Sequence, residues 1–181
     1  MASLRAAGWS EVELFDDVRQ AGAWINWLGG LRALVDGHVD ADALMMVQDD
    51  AIFCRGLRAH LDRTLWPDAE VALCSPYCPA PYRRPGPGWH EERRGWYLVG
   101  AICWVLPRES ARSLLADLDG TIAERQIDAR VGLWATTAGR SVWYHTPSLV
   151  QHTGCGNSAL GDQSTSSIRR AADFIGEEAT P

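Results

Sequence analysis

The stretch ALMMVQDD, residues 43–50, runs an apolar pentapeptide straight into two adjacent carboxylates, Asp49 and Asp50. Ala43 to Val47 is a continuous apolar run of strand length, the pattern of a central strand covered on both faces. Two neighbouring negative charges at the mouth of a buried strand repel each other and are poorly hydrated. A fold tolerates them most readily where a cation sits between. Asp49 and Asp50 therefore read in two ways, as carboxylates for Mn²⁺ or Mg²⁺ or as caps for the helix that follows.

Outward from this stretch, strands and helices alternate. Val12 to Phe15 predicts a short strand ended by Asp16-Asp17. Trp24, Trp27, Leu28, Leu31, Leu34 and Val35 keep helical spacing and predict a helix from about Ala21 to Val35, closed by Gly37. Leu57, Leu61 and Leu65 mark another helix, stopped by Pro67, and Val71 to Cys74 a further strand. This alternation argues an α/β fold with a largely parallel sheet, whose ligands gather at the carboxyl ends of the strands.

From Pro76 to Arg94 the pattern breaks, with five prolines and four arginines in 19 residues, and a long functional loop is expected. Trp96 to Leu106 resumes a strand-like run interrupted at Gly100-Ala101. Helices are expected over Arg108 to Leu118 and Ala129 to Thr137, and short strands over Ser141 to Tyr144 and Ser148 to Val150. The latter leads into a Gln151-His152-Thr153-Gly154 turn. Residues 1–154 read as one domain and 155–181 as a polar, partly flexible tail with one amphipathic turn near Ile168 to Phe174.

At 181 residues the chain is one domain with room for a substantial core. Its formal charge, 17 − 23 = −6, argues against nucleic acid as a partner. Five cysteines at irregular spacing make no disulfide framework, and a reducing cytoplasm is the expected compartment. Cys74 and Cys78 are at most half of a zinc site. No apolar run is long enough to span a bilayer. Nine tryptophans exceed ordinary usage; most belong to a core, while Trp89, Trp96 and Trp104, in the loop-rich middle, also suit the flat apolar face of a sugar.

His152 shifts the balance at Asp49-Asp50 toward a metal, because an imidazole in the turn after a strand can complete a metal's coordination. Asp128, just ahead of a predicted helix, reads from its position as a helix N-cap. Glu91 and Glu92 are reserve carboxylates, and Arg83, Arg84, Arg93 and Arg94 line the long loop.

In this order the features resemble a GT-A-fold glycosyltransferase, of the kind that uses a DxD-type motif to hold a divalent metal and a nucleotide sugar. Ser3 to Trp9 resembles the helix end before that family's second strand, and Gly22 to Trp27 the segment whose asparagine, here Asn26, faces the nucleotide. Gln48-Asp49-Asp50 stands in the DxD place. Gly95 to Pro107, with Gly100, resembles the strand and loop on the acceptor side of the sugar pocket. Asp128 starts a helix where such enzymes often keep a catalytic carboxylate, and Pro147 to Gly154 resembles their metal-ligand segment. Order and spacing carry the resemblance, since no one of these motifs is specific.

The resemblance implies a GT-A (Rossmann-like) mixed, mostly parallel sheet flanked by helices and shortened at the N-terminus, where the family's first nucleotide-binding strand would stand. It implies transfer of a sugar from a nucleoside diphosphate sugar to a glycan or other acceptor hydroxyl, with Mn²⁺ or Mg²⁺ as cofactor. Asp50 and His152 would be metal ligands and Asp49 would lie near the ribose or sugar. Asp128 as base would make the reaction inverting. A shortened sheet exposes an edge that a second subunit can cover, so a homo-oligomer is expected. The rival readings are a non-catalytic nucleotide- or glycan-binding module and a metal-dependent nucleotidyltransferase.

Overall fold

The computed structural model describes residues 2–92, 98, 100–117, 126–154, 170–171 and 173–181. In chain order its elements are α1 (Ala2–Ala7), α2 (Ala23–Gly37), β1 (Ala43–Val47), β2 (Ala51–Phe53), α3 (Leu57–Thr64), β3 (Val71–Ser75), β4 (Gly88–Glu91), β5 (Cys103–Pro107), α4 (Arg108–Asp117), α5 (Ile127–Thr137), β6 (Ser141–Thr146) and β7 (Val150–His152). The α/β class is as the sequence predicts.

The main sheet has five strands in the order β1-β5-β3-β6-β4, and β2 pairs with β7 in a separate two-stranded ribbon. Only β3 and β6 pair in parallel; β1–β5, β3–β5 and β4–β6 are antiparallel. This corrects the expectation of a mostly parallel sheet. Among the described residues of 76–107 the chain returns through β4 and β5, and both of these strands run against their neighbours.

A second correction concerns β1. Its bounds, Ala43–Val47, are those of the apolar run, but it is an edge strand and not a central one. The run is apolar because both faces are packed. Leu44 and Met46 join the cluster under α2, α4 and α5, while Met45 and Val47 join the one under α1 and α3. Burial of two faces says nothing about how many edges are paired.

The same period of two runs across the sheet. Trp104 and Leu106 of β5 face the first layer, Cys103 and Val105 the second. Trp104 is fully buried, edge-on to Trp27 at 5.9 Å, and Trp27 stacks on Trp24. A large aromatic buries about 150–250 Å², which at about 25 cal/mol/Å² supplies about 4–6 kcal/mol of driving force. Trp104 is thus core and not a sugar platform. Trp96 lies outside the described residues.

Several local expectations change. Val12 to Phe15 forms no strand; Phe15 instead lies against α2, where a Cβ on Gly29 would meet its ring at 2.8 Å. The Asp17 carboxylate accepts the Ala21 and Gly22 N–H groups at 2.8 and 2.9 Å, steering the chain into α2. The long loop carries a 3₁₀ turn over Ala80–Tyr82 and strand β4. The strand expected over Trp96 to Leu106 starts only at Cys103 within the described residues. Gly100, at φ +82°, turns the chain into it with its α-carbon against Tyr77, where any side chain would collide at 2.7 Å. The amphipathic turn expected near Ile168 to Phe174 falls partly outside the described residues. Ala171, Phe174 and Ile175 pack on the α1–α3 layer.

Candidate functional site

The topology gathers the predicted residues at one edge of the sheet. β1, β3 and β6 run the same way, so their carboxyl ends share that edge. Asp49 and Asp50 follow β1 there. α2 leads into β1 and α5 into β6, which returns Asn26 and Asp128, in the first turns of these helices, to the same edge. Gly100 precedes β5, which runs the other way, and so lies there too.

The β2–β7 ribbon does the close positioning. Ala51 stands opposite His152 in its register, and the Thr153 N–H and hydroxyl both donate to the Asp50 carbonyl, at 2.8 and 2.7 Å. Ser148, fully buried, braces the entry to β7: its hydroxyl donates to the Val150 carbonyl at 2.7 Å and accepts the Cys78 N–H at 3.0 Å. His152 therefore lies in a strand and not in a turn. Its Nε2 is 2.7 Å from Asp50 Oδ2. The His152 side chain is 8% exposed and that of Asp50 35% exposed, so the pair opens to solvent on the carboxylate's side.

A divalent metal fits these residues on two observations. The second Asp50 oxygen, Oδ1, is buried with no hydrogen-bond partner among the described residues, an orphaned acceptor of the kind a cation satisfies. Neighbouring donors around a six-coordinate ion at about 2.1 Å stand about 3 Å apart, close to the 2.7 Å between Nε2 and Oδ2. No set of three or more His, Cys, Asp or Glu converges among the described residues. A Mg²⁺ or Mn²⁺ ion held here would have to take most of its ligands from outside these side chains, as such sites commonly do. Asp49 is exposed.

Gly154 is a site residue that motif reading left without a role. A Cβ there would come within 2.7 Å of both Asp50 Oδ2 and His152 Nε2. Gly154→Ala is expected to push the pair apart and weaken metal-supported ligand binding by about tenfold, the lower end for lost support of metal ligands. Its melting temperature should stay within a degree or two of wild type. Mn²⁺ titration beside a thermal melt checks both; unchanged affinity would place Gly154 outside the site.

Asp128 is not a helix cap. Gln126 holds that position in α5, and the Asp128 Oδ2 accepts the Gly100 N–H at 3.0 Å. Two residues chosen separately from the sequence are thereby joined. Asn26 Nδ2 donates to the Phe15 carbonyl at 3.1 Å and ties down the segment before α2. Arg130, two residues beyond Asp128, lies 4.3 Å over the Trp24 ring.

Other candidates are drawn elsewhere. The Glu92 side chain is buried and paired with Arg84 at 3.3 Å, while Arg83 pairs with Asp173 at 3.2 Å. Arg93 and Arg94 lie outside the described residues. A cleft of about 300 Å³ lined by Asp68, Glu70, Glu91 and Glu92 sits at the opposite end of the sheet. Burial raises the Cys74 and Cys78 thiols, Cys78 to about 11, and neither belongs to a set of three or more His, Cys, Asp or Glu among the described residues.

Among the described residues no helix is long and apolar enough to cross a membrane. No protein-family model matches the chain, and no curated protein matches it.

Proposed function

We propose that this chain is a divalent-metal-dependent glycosyltransferase domain of GT-A type, acting in the cytoplasm on a nucleoside diphosphate sugar and an acceptor hydroxyl. The observation that supports it most is the meeting of Asp50, at the carboxyl end of β1, with His152, brought from the far end of the chain by the β2–β7 ribbon. Asp50 and His152 would hold Mn²⁺ or Mg²⁺, which when bound neutralises diphosphate charge and orients the leaving group.

The protein's own groups account for the rest. His152 now donates its Nε2 proton to Asp50, so as a ligand it must carry that proton on Nδ1. Asp49, exposed beside the pair, can accept ribose or sugar hydroxyls. Asp128 is the general base for the acceptor hydroxyl, which makes the reaction inverting. Its bond to Gly100 fixes the orientation of the carboxylate while leaving lone pairs to take a proton.

The test is a thermal melt with UDP, GDP, ADP, CDP and TDP, each with and without Mn²⁺. A ligand at 100 times its Kd adds about 2.7 kcal/mol, and for a chain of this length each kcal/mol moves Tm by about 2–4 °C. At least one diphosphate should raise Tm by about 5–10 °C, and only with the metal present. No shift with any diphosphate, or an equal shift without metal, would overturn the reading.

A further inference from the structure

A second cluster lies under α3, on the sheet face away from α2. His60 of α3 and His145 near the end of β6 bring their Nε2 atoms to 3.1 Å. The His145 Nδ1 is 2.8 Å from the Pro147 carbonyl. A carbonyl only accepts, so Nδ1 carries the proton and neutral His145 presents a lone pair at Nε2. Metal-binding histidines are held in this way, with the far nitrogen fixed by a carbonyl or carboxylate. Trp89 walls the His145 ring edge-on at 5.0 Å, and its indole N–H is tied to Thr64 at 3.1 Å.

The two Nε2 atoms face each other across 3.1 Å, with the ring centres 4.9 Å apart and the rings nearly perpendicular, at 87°. Bonds of about 2.0–2.1 Å from both to one ion would meet at about 100°, between octahedral and tetrahedral angles.

We infer that His60 and His145 form a binding site for a late first-row divalent cation such as Zn²⁺, separate from Asp50 and His152. Paired imidazoles favour Zn²⁺, Co²⁺ and Ni²⁺ over the oxygen-seeking Mg²⁺ and Mn²⁺. Among the described residues no third His, Cys, Asp or Glu joins them, and His60 is partly exposed. Water or a ligand from solution completes the shell, so the ion exchanges, unlike one in a closed structural site.

The experiment titrates Zn²⁺ into the metal-stripped chain against a chromophoric chelator, with Co²⁺ absorption as a second readout. Wild type and Asp50→Ala should bind alike at this site, while His60→Ala weakens binding at least tenfold and removes the Co²⁺ visible bands. His145→Gln should do the same; if it fails to fold, His60→Ala alone decides, because its side chain is not part of the buried core. Unchanged Zn²⁺ affinity in His60→Ala overturns the site and leaves an ordinary histidine–histidine hydrogen bond. So does loss of the zinc in Asp50→Ala, or no binding by wild type at high micromolar Zn²⁺.

Discussion

Asp50→Ala should lose at least about 100-fold in Mn²⁺-supported diphosphate affinity, since even partners outside the ligand shell cost about 10–100-fold. Among the described residues Asp50 is the carboxylate bonded to His152, through Oδ2, and its Oδ1 is buried with no hydrogen-bond partner. The fold should survive the change. The backbone carbonyl of Asp50, not its side chain, holds Thr153 and the end of β7. Asp50→Asn is the stricter variant, keeping shape while removing charge. Calorimetry of both with the best diphosphate from the thermal screen, with and without Mn²⁺, is the measurement. Wild-type affinity in Asp50→Asn would remove the metal from this site and leave a structural Asp–His hydrogen bond. His152→Ala should show a smaller loss in the same direction, because the carboxylate remains.

Stability should fall by about 3 kcal/mol as pH drops from about 6.5 to 4, through His145 alone. Burial lowers this histidine from its ordinary 6.5 to about 4. The groups that face it are His60 and His90, which also lower it, the Pro147 carbonyl and, more weakly, Asp173, which raise it. Because the folded value lies below the unfolded one, the unfolded chain binds the extra proton between them. The stabilisation is complete above about 6.5 and is lost as pH falls toward 4. His60, lowered by burial and by Arg63, adds to the loss in the same sense. Urea denaturation of metal-free protein at pH 7, 6, 5 and 4.5 measures the slope, and His145→Gln should flatten it by up to one proton. A variant with the wild-type slope would show that His145 is already hydrated in the folded protein.

Some of this molecule was legible in its residues taken alone. The apolar run Ala43 to Val47 is β1 to the residue, and the heptad-like spacing of Trp24 to Val35 marks α2 within two residues at either end. α3, α4 and α5 were likewise readable, because each buries a stripe of its own side chains at a period of 3.6, and β3, buried at every position, reads as a continuous apolar run. Asp49, Asp50 and His152 stood out by residue type and by their place after strands.

Tertiary structure alone decided the rest. Whether β1 is central or at the edge, and which strands run antiparallel, depends on partners 30–60 residues away, and a strand's own pattern records burial of its faces but not the identity of its neighbours. Strand β4 was hidden because its four residues, half-buried and between prolines and arginines, lack an alternation long enough to read. The contact of Asp50 with His152 spans 102 positions and that of His60 with His145 spans 85. Such contacts leave no local periodic trace. They arise when the sheet brings carboxyl ends together, and the free energy that selects them is burial summed over both layers. The residues able to do chemistry are therefore visible in the sequence, but which of them meet is decided by the packing of the sheet.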